Sequence, residues 1–166
     1  MIEYRKIEKS EKQELSRLVA IVLDNLERKD FFVPFGEEEI DAMFDESNAV
    51  TYGAYDGEKM VGTAQLYLGD EFVDEIKEAL GVENTLAAEF GGVLVLPEYR
   101  GNGIMKHFGK ILVNEAKARK YEYVVAVAHP ENIASNKGIV ATGATRTKTA
   151  NLGEHYRNLY LLSLGE

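Results

Sequence analysis

The stretch that decides the reading is LPEYRGNGIM, residues 96–105. It follows an apolar run, LAAEFGGVLVL (86–96), that reads as a strand. It precedes Ile104, Phe108, Ile111, Leu112 and Ala116, which recur at helical spacing. Two glycines flanking one asparagine therefore stand between a strand and the first turn of a helix. At that point the backbone N–H groups of Gly101, Asn102, Gly103, Ile104 and Met105 lack partners inside the helix, and the helix dipole adds positive potential. Such a turn is an anion site, and glycine lets the anion come close. Lys106, His107 and Lys110 stand just behind. A pyrophosphate is the expected guest.

Working outward, IEYRKI (2–7) alternates like a strand. Ser10 opens a helical stretch with Glu14 near the capping-box position, and Leu15, Leu18, Val19, Val22 and Leu26 form its apolar stripe. FFVPFG (31–36) is an aromatic loop, and EEEIDAMF (37–44) is a short helix with its acids in the first turn. VTYGAY (50–55) and KMVGTAQLYL (59–68) read as a hairpin about Asp56-Gly57. DEFVDEIKEAL (70–80) is an amphipathic helix. After the long helix come a strand at 123–128, a short helix at 132–143, and strands at 144–150 and 157–164. The order β-α-α-β-β-(α)-β-α-β-α-β-β, without repeats or linkers, predicts a single α+β domain over 1–166.

Composition narrows the function. The chain of 166 residues is long enough to bury a core. It has no cysteine, which excludes a thiolate metal site and a cysteine nucleophile. The N-terminus has no apolar segment of signal-peptide type, and no run of 18 apolar residues occurs, so a cytoplasmic protein without a membrane span is expected. A net charge of −9 argues against nucleic acid as a partner. The charge is uneven. Residues 37–99 carry 16 acidic and 2 basic side chains, and residues 100–166 carry 5 acidic and 10 basic. Either these are solvated faces, or the C-terminal half meets an anion and the middle meets a cation.

Three phosphate-binding patterns compete for the loop. A Walker A loop needs Lys followed by Ser or Thr, but Gly109-Lys110 is followed by Ile111. A dinucleotide fingerprint needs a third glycine at 106, which is Lys. The third pattern fits. Val95-Leu96-Pro97 followed by Arg100-Gly101-Asn102-Gly103-Ile104-Met105 resembles the main motif of the GNAT superfamily of N-acyltransferases, with Met105 where a small residue is usual. A second likeness lies downstream, where Asn132, Ser135, Ile139, Gly143 and Ala144 keep the spacing of the family's Asn, Ala or Ser, Tyr, and Gly-Phe. The Tyr and the Phe are replaced.

The resemblance implies a GNAT-type domain with a mixed, mostly antiparallel sheet flanked by helices. It implies acetyl-CoA as co-substrate and no metal. Val93, Leu94 and Val95 would pair with the pantetheine arm. Residues 100–105 would cradle the pyrophosphate, and Asn132 and Ser135 would complete the CoA site. The acceptor would be a small-molecule or peptide amine, cationic before reaction, and a homodimer is compatible with the family.

Glu89 is the expected general base. Within an apolar strand the alternation puts Gly91, Val93 and Val95 on its side, and a carboxylate there costs several kcal/mol unless it has a partner or a task. It also precedes Arg100 by eleven residues, where one branch of the family places its catalytic glutamate. A base is needed because an alkyl amine of pKa near ~10 is protonated at pH 7, and presenting it free costs about 4 kcal/mol. Gly91-Gly92 in the same strand marks a bulge or a close backbone approach. With Ile139 in place of the family's acid, Tyr156 is the replacement candidate. His129 and His155 read as structural or surface residues. The FFVPF loop is a candidate wall of the acceptor pocket. The alternative to an enzyme is a non-catalytic acyl-CoA-binding sensor or interaction module.

Overall fold

A computed structural model describes residues 1–165. The elements in order are β1 (Ile2–Lys6), α1 (Lys12–Asp24), α2 (Glu37–Ala42), β2 (Ala49–Asp56), β3 (Lys59–Tyr67), α3 (Glu71–Leu80), β4 (Ala87–Val95), α4 (Ile104–Ala118), β5 (Tyr123–Ala128), α5 (Ile133–Val140), β6 (Thr145–Leu152) and β7 (His155–Ser163). Single 3-10 turns precede α1, α2 and α4. The strands form one sheet in the order β1-β2-β3-β4-β5-β7-β6. Every neighbouring pair is antiparallel except β4 and β5, which are parallel and joined by the α4 crossover. The order expected from the sequence holds element for element.

Local chemistry explains the boundaries. The Asp70 carboxylate accepts the Val73 N–H at 2.8 Å and caps α3, and Gly81, at φ 75°, closes it. Gly57, at φ 63°, turns the β2–β3 hairpin. The start of α1 differs from expectation. Ser10 lies inside the Lys9–Glu11 turn, and the capping box is Glu8 with Glu11, one turn earlier than Ser10 with Glu14. Glu11 holds that place because Arg5 grips it at 3.0 and 3.2 Å and the Tyr55 hydroxyl donates to it at 2.8 Å. Glu14 instead pairs with Arg17 on the helix surface.

Two features of the sheet position the site. The first is a bulge in β4. Gln65 faces Gly91 and Thr63 faces Leu94, so two steps along β3 meet three along β4. Gly92 takes the extra step at φ 63°. The bulge reverses the alternation, so Leu94, not Val93 or Val95, shares the face of Glu89. The second feature is a short β4–β5 pairing, which covers only Ala87–Glu89 against Tyr123–Val125. Beyond Glu89 the two strands run on unpaired to each other, and a cleft opens between their C-terminal ends.

The helices divide between the two faces. The face bearing Gly62 and Phe90 packs on α4 through Ile104, Phe108 and Gly109, and α5 joins α4 there. The opposite face, with Thr63, Gln65, Tyr67 and Glu89, is covered by α1, α2 and α3; the Thr51 hydroxyl ties it to the end of α2 by donating to Met43 O at 2.8 Å. Leu15, Leu18, Phe108, Leu66 and Leu112 are among the fully buried core side chains.

Candidate active site

The 97–105 loop carries the chain from β4 into α4 in a shape suited to an anion. Gly101 and Gly103 adopt φ 81° and 75°, a conformation that side chains other than glycine enter at a cost of roughly 1 kcal/mol or more. A Cβ at either would meet nothing within 4 Å, so glycine here serves the backbone turn and leaves room above it. Gly103 is the N-cap of α4 and supplies no side chain to satisfy the first N–H groups. The loop is braced from beneath. The Tyr99 hydroxyl donates to Asp56 at 2.6 Å, and the Asn102 amide donates to Tyr99 O at 2.9 Å. Beside it runs a groove lined by Asn102, Gly103, Lys106, Lys110 and Lys117, with three cations for anionic groups. Arg100 is exposed at the loop's entrance.

A cavity of ≈ 570 Å³ occupies the cleft between β4 and β5. Its lining comes from both faces of the sheet. Met105, Ser135 and Ile139 belong to the α4–α5 side, whereas the 31–35 loop, Asp70 and Phe72 belong to the other. The opening between the strands thus lets a ligand held at the α4 N-terminus meet one held behind the sheet.

Glu89 sits at the vertex, where β4 and β5 part, and also lines the cavity. It is 6% exposed, and among the described residues no hydrogen bond or ion pair holds its carboxylate. Burial pushes its pKa up to about 8, and the charge of Asp70 adds to the rise. Across from it on β3 stands Tyr67, which sequence reasoning missed. Its phenol donates to Gln65 Oε1 at 3.3 Å, Gln65 donates to the Thr63 hydroxyl at 3.0 Å, and Thr63 donates to Tyr52 O at 2.9 Å. Burial raises the Tyr67 pKa, helped by Glu89 and Asp70, so the phenol keeps its proton. A Cβ at Gly92 would fall 1.8 Å from Gln65 Oε1 and 2.8 Å from the Tyr67 oxygen. The glycine is what lets this chain run under the bulge.

The other expected residues fall as follows. Val93 lines the cavity, while Leu94 is buried and Val95 half-buried further along the stretch of β4 that β5 leaves free. Asn132 caps α5, its carboxamide oxygen accepting the Ser135 N–H at 3.2 Å, and Ser135 lines the cavity. Ile139 is buried beside it. Met105 reaches Gly138 on α5, where a Cβ would lie 2.3 Å from its sulfur. The long side chain thus fills space that a glycine on the next helix leaves open. Tyr156 is 54% exposed and absent from the cavity lining, because β7 begins at His155 and alternation turns His155 and Arg157 inward and Tyr156 outward. His129 lies 3.2 Å from Asp30. Phe31, Phe32, Val33, Pro34 and Phe35 all line the cavity, Phe32 and Phe35 edge to face.

An anion cradle at a helix N-terminus, a bulged strand freed from its neighbour and a buried carboxyl at the vertex define an acyl-CoA-dependent acetyltransferase. The chain belongs to the acetyltransferase (GNAT) family, whose sequence profile matches residues 21–137. Its fold is similar to that of an N-acetyltransferase from Staphylococcus aureus Mu50, at 19% identity over 99% of both chains with a TM-score of 0.72. It is also similar to yncA from Salmonella typhimurium, solved with its cofactor acetyl-CoA, at 16% identity over 99% of this chain and 95% of that one, with a TM-score of 0.73. A ribosomal-protein-S5-alanine acetyltransferase from Vibrio fischeri matches at 16% identity over 98% and 92%, again with a TM-score of 0.73. No curated protein matches the sequence. Acetyl-CoA is the co-substrate of this family, and the cradle fits it. Among the described residues no cluster of His, Asp and Glu could hold a metal ion, and no helix is long and apolar enough to cross a membrane.

Proposed function

We propose that the protein moves acetyl from acetyl-CoA directly to a primary amine of a small molecule or peptide, with Glu89 as general base. The observation that carries this reading is an unpaired, buried carboxyl at the point where the two ligands would meet. Residues 100–105 hold the pyrophosphate by backbone N–H groups, and the pantetheine arm lies along Gly91–Val95 like an added strand.

The acceptor's ammonium first gives one proton to the Glu89 carboxylate, which passes it through water to solvent. The free amine nitrogen then attacks the thioester carbonyl carbon, and the excess proton it now carries passes to Glu89. N–H groups on the freed edge of β4 stabilise the developing oxyanion. The C–S bond then breaks, and CoA leaves as thiolate. A thiol has a pKa near ~8.5, so the thiolate leaves readily and takes up the second of the two protons that nitrogen loses, the first having gone to solvent. Glu89, at about 8, is matched to return that proton directly or through water. The Tyr67 phenol, with its raised pKa, serves as a hydrogen-bond donor at the bulge and not as the proton source. Tyr156, turned away from the cavity, is given no role. No covalent enzyme intermediate is needed.

Ile139 in place of the family's tyrosine favours a second reading, a sensor that binds acyl-CoA without turnover. One assay separates the two. Purified protein with acetyl-CoA is screened against a panel of primary amines, following free CoA thiol, with Glu89→Gln in parallel. Thiol release dependent on an amine and on Glu89 supports the enzyme. Tight acetyl-CoA binding with no release by any amine supports the sensor.

A further inference from the structure

The cavity contains a cation that acetyl transfer itself does not use. Arg157, on β7, is 6% exposed and lines the cavity. Its guanidinium donates from Nη1 to Tyr156 O at 2.9 Å and from Nη2 to Asp30 O at 3.2 Å. Both acceptors are neutral carbonyls. Asp30, whose backbone oxygen accepts from Arg157, spends its carboxylate on Arg28 at 2.7 Å and lies 3.2 Å from His129. Among the described residues no carboxylate stands within 4 Å of Arg157, and three of its five N–H donors are without a partner. A buried guanidinium does not give up its charge, and leaving it unpaired costs several kcal/mol.

The rest of the lining is acidic. Glu39, Asp70 and Glu89 face the cavity, and Arg157 is the only Lys or Arg among the described lining residues, with His155 beside it. Strand register places Arg157 and Glu89 on the same face of the sheet. Glu89 pairs with Val125, Val125 with Leu161, and Arg157 lies four residues from Leu161 along β7. Two strand spacings and four residues put their Cα atoms roughly 16 Å apart. Both side chains reach inward, which leaves room for a molecule of amino-acid size between carboxyl and guanidinium.

We propose that Arg157 is a specificity-determining residue that binds a carboxylate on the acceptor, so that the acceptor is an amino acid or a similar amine-carboxylate zwitterion. The planar fork of unused N–H donors matches a carboxylate. A single positive charge among three acids suits a singly charged anion. The 31–35 aromatic wall takes the apolar part of the acceptor, and the amine end lies toward Glu89 and Asp70. This rests on the acetyltransfer reading and adds to it a requirement on the acceptor.

The test compares amino acids with their carboxamides in two arms. In the first, CoA thiol release from acetyl-CoA is followed. In the second, calorimetry measures binding of each compound to protein saturated with CoA, where no acetyl group can transfer. The acids are expected to show kcat/KM and affinity at least ~10-fold above their carboxamides, the value of one charge-assisted hydrogen-bond pair. Arg157→Gln should erase that ratio, chiefly through the KM of the acids, and Arg157→Lys should restore part of it. Should Arg157→Gln not fold, the ratio on the unaltered protein and on Arg157→Lys decides. Equal values for acid and carboxamide on the unaltered protein would overturn the proposal, while amide-dependent turnover would leave acetyl transfer standing. A preference for succinyl-CoA over acetyl-CoA that is lost in Arg157→Gln would assign the carboxylate to the acyl donor and also overturn it. Absence of turnover with any amine would sink the acetyltransferase reading, and the calorimetric ratio would still judge the carboxylate site.

Discussion

The two sides of the cleft are built by different means. The α4 side is contiguous in sequence and acts through backbone. Nine consecutive residues, 97–105, make the loop, and a Cβ at either Gly101 or Gly103 would meet no neighbouring atom within 4 Å. The opposite side is assembled from distant segments and acts through side chains: the 31–35 loop, Tyr67, Asp70, Glu89 and Arg157. A cofactor shared by many enzymes can be held by a turn that any chain can copy. An acceptor particular to one enzyme needs side chains brought together by the whole fold. β4 is where the two sides join, since its bulge lies in the stretch proposed to hold CoA and its Glu89 is the proposed base for the acceptor.

The sharpest way to break this comparison is at the junction. Gly92→Ala forces a positive φ on alanine and drives its Cβ into the Gln65–Tyr67 chain. Destabilisation on the order of 3 kcal/mol, read by denaturant unfolding, and loss of acetyl transfer are expected. A variant with unaltered stability would show that the bulge is incidental.

On the acceptor side, Glu89→Gln should lower kcat by roughly 10²-fold or more without raising KM for acetyl-CoA. It should also change stability with a defined sign. The folded pKa of about 8 lies above the carboxylate's ordinary 4.5. Between those pH values the native state keeps a proton that the unfolded chain releases, so native stability falls as pH rises through this window. Glu89→Gln removes that loss. It should unfold like the parent at pH 4 and be more stable at pH 9, by on the order of 5 kcal/mol. Equal stability at pH 9 would mean that the carboxyl is not strained by burial.

On the cofactor side the effects are smaller. Gly103→Ala places alanine in the left-handed region without a clash, so stability should fall by about 1 kcal/mol and the KM for acetyl-CoA should rise several-fold. An unchanged KM would separate the loop from CoA. Least of all, Gly138→Ala displaces the flexible end of Met105. A modest rise in KM for acetyl-CoA, relieved in the double variant with Met105→Ala, would confirm that the two positions share one space.

The same contrast governs what the sequence could reveal. The turn was legible because the motif's glycines mark it, and Gly101 and Gly103 take the left-handed φ that such a turn needs. Element order was legible from periodicity and turn residues such as Asp56-Gly57. Glu89 stood out as a carboxylate in an apolar strand. The face of Val93 and Val95 was misread because a bulge breaks the alternation on which that reading depends, although Gly91-Gly92 had signalled a bulge. Tyr67 and Arg157 were missed because nothing in QLYL or HYRNLY separates a cavity residue from an ordinary strand residue. Only the pairing of β3 with β4 and of β5 with β7 brings them to the cleft. Met105 could not be explained before α5 was seen to present Gly138 to it.

The most direct test of Glu89 as the base is the pH dependence of kcat/KM for an amine found by thiol release, measured for the parent and for Glu89→Gln. Such a profile follows ionisations of the free enzyme and the free amine. The parent should show a break near pH 8 that Glu89→Gln lacks, leaving only the ionisation of the amine. The same break in both proteins would contradict the assignment.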